Sequence, residues 1–528
     1  MTSPAPRSVP AVVALVTSVA LGVAAWWCGR DLWFFSDDWN IVAQFPGGRL
    51  LEPFNSHLSA VPVGVYQLLF HTVGLGSYWP YRLVGFAAYA LLGATVWRYA
   101  AARAGGWVAL AAVTVVLWSS AGVTNVMFPF LLNFSIPVAA AAAIWWHLDR
   151  DAPRHDAWAS WWLVVALATS GLGLLAAVAV AVELALVRAG WRRWATFAPG
   201  PVLWLGWYVA YGVDAPANGG LGEVVPYALR MVLGGFTALG AGSQGVGLVL
   251  AAAFAALVVV AAQRRVLDAR VAGALAAAGA FALLTAWSRT GVVPAIAPDE
   301  VRYRWTVAAF LVLAVVGLLP RVLAAGPALP RPALGVSAAA AIVLVVAGVV
   351  VLAGQSRDWA EMVRSARPGL EAVTLATEAG GDALDRDRVI PLSFVPVRVG
   401  EYLDAVEELG TPVAGIDVGA IEGRDDQRRA ADAVLAEAVA ATPPAGRRCD
   451  PGGVEVEVVP GSSVEVTASS AGVVAVRRFV RDGDPEPATV AVPAGTTVLT
   501  LPADPAGTRG ERPYRLTAPD DVELSVCR

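Results

Sequence analysis

Two aspartates stand side by side in the stretch Phe34-Phe35-Ser36-Asp37-Asp38-Trp39-Asn40, with aromatic residues on both sides. Adjacent carboxylates repel as they ionise, and partial burial disfavours the charged form further. Both effects raise a carboxylate pKa and make the group a better proton acceptor. Asp37 is therefore a candidate general base. Asp38 is a candidate partner that positions it, or that holds a hydroxyl or a divalent cation. The competing reading is structural: either aspartate caps a helix beginning at Trp39.

Two further groups carry usable chemistry. Asn55-Ser56-His57-Leu58 follows the aspartates, and His57 is one of only four histidines. A histidine there can donate to a phosphate oxygen or a sugar hydroxyl, or can simply bond a loop carbonyl. Later come Ser288-Arg289 and Pro298-Asp299-Glu300-Val301-Arg302-Tyr303-Arg304-Trp305. Guanidinium groups bind phosphate in a bidentate manner, so Arg289, Arg302 and Arg304, with Tyr303 between the last two, suit a lipid-linked phosphate. The alternative is interfacial snorkelling with pairing to Asp299 or Glu300.

The elements that must position these residues are dictated by composition. The 528 residues are 57% hydrophobic and only 15% charged, whereas a soluble domain carries about 25% charge. Residues 1–354 hold 20 Arg against 13 Asp and Glu; residues 355–528 hold 18 Arg against 29. Nineteen of the 20 Trp fall in the first part. The split predicts a polytopic membrane domain over 1–354 and a water-soluble part after it. Every basic residue is Arg, and no basic stripe points to nucleic acid.

The first apolar run, about 9–28, follows Arg7 and reads as a retained helix, since no small-residue cleavage site follows it. Further runs lie near 61–75, 81–102, 107–120, 134–147, 158–171, 173–188, 195–213, 227–241, 246–262, 271–287, 305–320 and 333–354. Several are shorter than the roughly 20 residues a span needs and are expected to be short or broken helices. Basic clusters at Arg98/Arg103, Arg150/Arg154, Arg188–Arg193, Arg264–Arg270 and Arg321/Arg331 orient the chain. With all of them cytoplasmic, there are about eleven crossings. The runs at 61–75 and 227–241 then lie along the outer interface. The N-terminus is cytoplasmic, and the loops 30–80, 121–133, 214–245 and 288–304 fall outside with the C-terminal part.

Residues 355–445 contain helical patterns around short apolar runs at 389–394 and 412–416, which predicts a small α/β unit. Residues 446–528 alternate apolar and polar between Pro-Gly and Asp-Gly turns, which predicts a β-sandwich. Cys449 and Cys527 flank that segment, and an oxidising location predicts a disulfide between them. Cys28 reads as packing, and Glu183 as a helix-end partner for Arg188. No GxGxxG, P-loop, HExxH or CxxC is present.

The Asp37-Asp38 pair beyond the first helix, the Asn-Ser-His element at 55–57 and the Arg-Tyr pair at 302–303 resemble the polyprenyl-phosphate-sugar-dependent glycosyltransferases of the GT-C membrane fold. That group includes protein O-mannosyltransferases and the arabinosyl- and mannosyltransferases of actinobacterial cell walls. The resemblance covers about residues 9–354. It implies a plasma-membrane enzyme in which the first-loop acid is the catalytic base, Asp37 first and Asp38 second. The sugar comes from polyprenyl phosphate and passes to an external acceptor: a cell-wall glycan, glycolipid or protein. Two other classes fit the composition. A transporter or flippase shares many helices and charged cavities, but usually shows related halves, and no repeat is visible. A non-catalytic membrane scaffold that binds glycan through its β-rich tail is the third.

Overall fold

In a bilayer only a helix or a closed barrel satisfies its own backbone, so the long apolar runs become helices. The computed structural model describes residues 8–527 apart from 46, 151, 213–219, 291–295, 325–330, 394, 445–448 and 482–485. Arg7, Phe394 and parts of the loops 214–245 and 288–304 lie outside the described residues. In chain order the helices are α1 (Ser8–Cys28), α2 (Asp37–Gln44), α3 (Ala60–Val73), α4 (Trp79–Ala104), α5 (Gly106–Trp118) and α6 (Val123–Met127). Then come α7 (Leu132–Leu148), α8 (Pro153–Thr169), α9 (Gly173–Leu186), α10 (Trp191–Phe197), α11 (Pro199–Tyr211) and α12 (Leu221–Leu239). The last are α13 (Gln244–Gln263), α14 (Ala269–Arg289), α15 (Val301–Ala324), α16 (Arg331–Gly380), α17 (Val399–Leu409) and α18 (Asp425–Glu437).

Among the described residues, six helices are long and apolar enough to cross a membrane: Val9–Cys28, Trp79–Ala104, Pro129–Leu148, Gln244–Gln263, Ala269–Arg289 and Val301–Ala324. The chain is a polytopic membrane protein. Several of the other apolar runs of the expected set form shorter or interrupted helices. Helices α5 and α9 have 13 and 14 residues, and the run at 195–213 is divided at Ala198, where Pro199 opens α11. The last apolar run and the predicted helix at 357–378 form one element, the 50-residue α16.

The chain divides into two compact units. The first comprises Met1–Arg30, Arg49–Val65 and Tyr81–Trp359; the second comprises Asp31–Gly48, Tyr66–Pro80 and Ala360–Arg528. In the first unit small residues let helices approach closely. A Cβ at Gly273 of α14 would lie 2.7 Å from the Ala179 carbonyl of α9, and one at Gly235 of α12 would lie 2.5 Å from Val307 of α15. Tyr99, Trp145 and Phe310 form an aromatic core, with centroids 5.8 and 6.4 Å apart. Buried charges need partners, and here they find them. Arg103 pairs with Asp149 at 2.9 Å and Asp268 at 3.1 Å, and Arg270 with Glu183 at 2.8 Å. The partner of Glu183 is thus Arg270 and not the expected Arg188. Helix α14 packs along α9 and brings Arg270 across, whereas Arg188 leaves the helix end with φ +51°.

In the second unit, β1 (Val389–Ile390) and β2 (Val397–Arg398) make a minimal antiparallel pair. The run at 412–416 is not a strand. It turns, with Gly415 at φ +82°, so the expected α/β unit is three helical segments around one small hairpin. Beyond it lie β3 (Ala440–Thr442), β4 (Cys449–Gly453), β5 (Glu455–Val458), β6 (Ser463–Ala468), β7 (Gly472–Arg477), β8 (Ala488–Val492), β9 (Gly495–Thr500), β10 (Tyr514–Thr517) and β11 (Val522–Cys527). They form a five-stranded sheet, β3-β9-β6-β11-β4, and a four-stranded sheet, β5-β10-β7-β8. The period-2 pattern buries Val464, Val466 and Leu524 on one and Val456, Val458 and Leu516 on the other, as a sandwich requires. The β4–β11 register sets Cys449 opposite Cys527, and the two form the expected disulfide. The Asp432 carboxylate of α18 accepts the N–H groups of Arg478, Phe479 and Val480 at 3.0, 2.8 and 3.0 Å, fastening α18 to the end of β7.

Candidate active site

The aspartate pair belongs to the second unit. Helix α2 starts at Asp37, after Ser36 at φ +51°, a backbone region that costs an L-residue roughly 1–2 kcal/mol. Both aspartates lie in the first turn, where the helix dipole favours negative charge. Neither occupies the capping position, which Ser36 holds without a side-chain bond. The two carboxylates then part in environment. Asp37 is half-buried, while Asp38 is only 2% exposed. The Asp38 carboxylate accepts the Phe35 N–H at 3.1 Å, the Tyr78 hydroxyl at 2.8 Å and the Tyr66 hydroxyl. Burial pushes its pKa up to about 6. The two tyrosine bonds and the Phe35 N–H oppose that rise, and the Asp37 charge adds to it.

An aromatic box surrounds this carboxylate. Phe34 meets Tyr78 at 4.8 Å and Trp39 at 5.6 Å, and Trp39 meets Tyr402 of α17 at 5.8 Å. The sequence points to Trp39 as a neighbour. It gives no sign of Tyr66 and Tyr78, which stand 28 and 40 residues from Asp38.

The remaining candidates belong to the first unit. Asn55 and Ser56 have φ +49° and +64°, and Phe54 and His57 exchange both backbone hydrogen bonds at 3.0 and 2.9 Å. This is a two-residue hairpin with left-handed central residues, a conformation asparagine tolerates. Asn55 therefore shapes the turn that presents His57. The His57 ring keeps contact with solvent, although protein surrounds it. Desolvation, followed by the Arg289 charge, holds its pKa below the ordinary imidazole value against a bond to the Ser56 backbone. Neutral imidazole offers one donor and one acceptor. The ring lies 3.0 Å from where Gly171 would carry a Cβ, so that glycine makes room for it.

Arg302 has its Nε 3.8 Å from Glu300, with both side chains about one-third exposed (31% and 33%); among the described residues this Nε has no hydrogen-bond acceptor. Arg304 is more committed. Its Nε donates to the Asp299 carbonyl, and its aliphatic stem crosses Gly234 of α12. Tyr303 is buried, edge-on to Phe281 at 5.9 Å. Tyr227, which sequence reasoning missed, donates to the Ile296 carbonyl at 2.8 Å. The charges of Arg289, Glu300 and Asp299 all act on it. Among the described residues no three His, Cys, Asp or Glu side chains gather as metal ligands.

Fold and site together define a polytopic helical membrane protein with a disulfide-closed β-sandwich. One unit holds a tyrosine-bound carboxylate, and the other carries arginine and tyrosine at helix ends and histidine on a hairpin. No family model and no curated protein matches the chain. Among solved structures it is similar to ArnT from Cupriavidus metallidurans in the apo state, with TM-score 0.47 and 17% identity over 74% of this chain and 84% of that one. It is similar also to ArnT from Cupriavidus metallidurans bound to undecaprenyl phosphate, with TM-score 0.47 and 15% identity over the same shares. At these values the likeness carries no argument of its own.

Proposed function

We propose that this protein is a membrane glycosyltransferase that moves a sugar from a polyprenyl-phosphate donor to an acceptor hydroxyl on the external side, with inversion. The observation that carries the reading is the difference in environment between the two adjacent carboxylates. Asp38 is fixed by Tyr66, Tyr78 and the Phe35 N–H, and Asp37, its half-buried neighbour, is the general base. Asp37 takes the acceptor's proton as its oxygen bonds to the anomeric carbon. The bond from that carbon to the phosphate oxygen breaks, and polyprenyl phosphate leaves with the electron pair. A leaving group of that quality needs cations more than an acid. Arg302, with Arg289 and neutral His57, binds the phosphate. Arg304 and Tyr303 hold the loop through the Asp299 carbonyl and Phe281. The disulfide supports an external C-terminal unit, and the arginine clusters support a cytoplasmic N-terminus.

The test is transfer from a polyprenyl-phosphate sugar in membranes. Asp37→Asn keeps the shape and removes the basicity, so turnover should fall at least roughly a hundredfold while donor binding persists. Arg302→Ala should raise the donor Kd roughly ten- to a hundredfold, the worth of a charge-assisted contact. Full activity in both Asp37→Asn and Asp38→Asn would overturn the catalytic reading in favour of transport or scaffolding.

A further inference from the structure

Helices α8 to α11 border an open apolar groove of about 580 Å³, within the size range of small-molecule sites, roughly 300–1,000 Å³. Leu163, Leu174, Leu184 and Val202 line it, and Trp194 closes one side. The short helix α10 that carries Trp194 is fastened to α8. Ser160 donates to the Thr196 carbonyl at 2.6 Å, and Arg193 pairs with Asp156 at 3.0 Å. What α10 leaves outward is different in kind. Trp191 is 76% exposed, Trp194 and Arg192 are exposed too, and so is Arg188, just past the end of α9. Among the described residues Arg188 and Arg192 meet no carboxylate; the Arg192 guanidinium rests 5.8 Å over the Trp191 ring. Internal pairing accounts for Arg193 but for neither of these.

Tryptophan and arginine exposed together mark a membrane interface, and two exposed cations that flank the lining residues Leu184 and Trp194 in sequence complement one ligand chemistry. We infer that this groove binds an anionic phospholipid. An acyl chain enters between α8, α9 and α11, the phosphate meets Arg188 and Arg192, and Trp191 and Trp194 sit at the level of the headgroup. A zwitterionic lipid offers the same phosphate with a cation of its own beside it, which weakens the attraction to the two arginines, and a soluble phosphate leaves the groove unfilled. The inference is independent of the glycosyl-transfer reading.

The full chain, delipidated in detergent, is titrated with phosphatidylglycerol, phosphatidylcholine and undecaprenyl phosphate, and bound lipid is counted by native mass spectrometry. Phosphatidylglycerol should be held preferentially. The double variant Arg188→Gln/Arg192→Gln should weaken it roughly thirtyfold, about fivefold for each basic side chain, with phosphatidylcholine unchanged. Ala177→Phe, which fills the groove, should displace the phosphatidylglycerol chain. Equal retention of the two phospholipids, or phosphatidylglycerol binding indifferent to both variants, overturns the site. So does stronger binding of undecaprenyl phosphate that the same variants abolish, which gives the groove to a polyprenyl lipid instead.

Discussion

Asp38 is a carboxylate whose ionisation the fold opposes and whose ionised form two tyrosines soften. Its pKa in the folded protein is about 6, against an ordinary 3.8. Between those values the folded state keeps a proton that the unfolded chain has released. This group's contribution is therefore full below about pH 4 and is lost as the pH rises through about 6, a change of about 3 kcal/mol by linkage. Asp38→Asn carries no titrating proton. The stability of the parent relative to this variant should fall by up to that amount between pH 4 and 7, read from denaturation midpoints in detergent. Glu378 and Asp432, whose pKa values burial also raises, titrate in both proteins and cancel. Tyr66→Phe or Tyr78→Phe removes a donor to the ionised form and should move the fall to higher pH. A difference that stays flat would mean Asp38 is solvated.

At the scale of elements, two pieces of chain are each fixed by something local, the Asn55-Ser56 hairpin and the β-sandwich. The Asn55-Ser56 hairpin needs positive φ twice. Glycine reaches that region without the Cβ clash. Ser56→Gly should thus raise stability by up to about 1 kcal/mol and leave transfer unchanged. Asn55→Val should cost more than that gain and displace His57, seen as lost donor binding. In the sandwich, the Cys449–Cys527 bridge joins neighbouring strands and closes a long loop, with a sequence separation of 78. Replacing both cysteines by serine should cost roughly 2–5 kcal/mol, read as a lower midpoint of the β-sheet circular dichroism transition. No change in that midpoint would mean that the thiols are reduced in the mature protein.

The whole molecule assembles in two units that are not contiguous in sequence. The segments 31–48 and 66–80 join the C-terminal residues, and α2 packs against α17. The C-terminal unit therefore belongs to the aspartate site as its support. Its sandwich offers little for stacking on sugars: Phe479 and Tyr514, its two aromatics, are both fully buried. The topology drawn from arginine placement puts this unit outside the cell. A reporter fused after Ala440 should be active only on the external face, and cytoplasmic activity would reverse the orientation of every loop.

Sequence alone determined what depends on each residue's own transfer energy and on short periods. Charge and tryptophan mark off the long apolar helices from the charged C-terminal residues. The alternation after residue 446 became strands, and Cys449 met Cys527. The uniformity of helix α16 was less visible, because hydropathy changes along it while backbone preference does not. The aspartate pair was legible as chemistry because adjacent acids among aromatics are rare in so apolar a chain. Its division into a buried, tyrosine-bound Asp38 and a half-buried Asp37 was not. The same holds for Arg270 taking the place of Arg188 at Glu183, and for Asn55 forming a turn. In each case the deciding partner lies far along the chain or in the sign of a backbone angle. Hydropathy and spacing report which groups must leave water; only packed helices decide which distant donor reaches each buried charge.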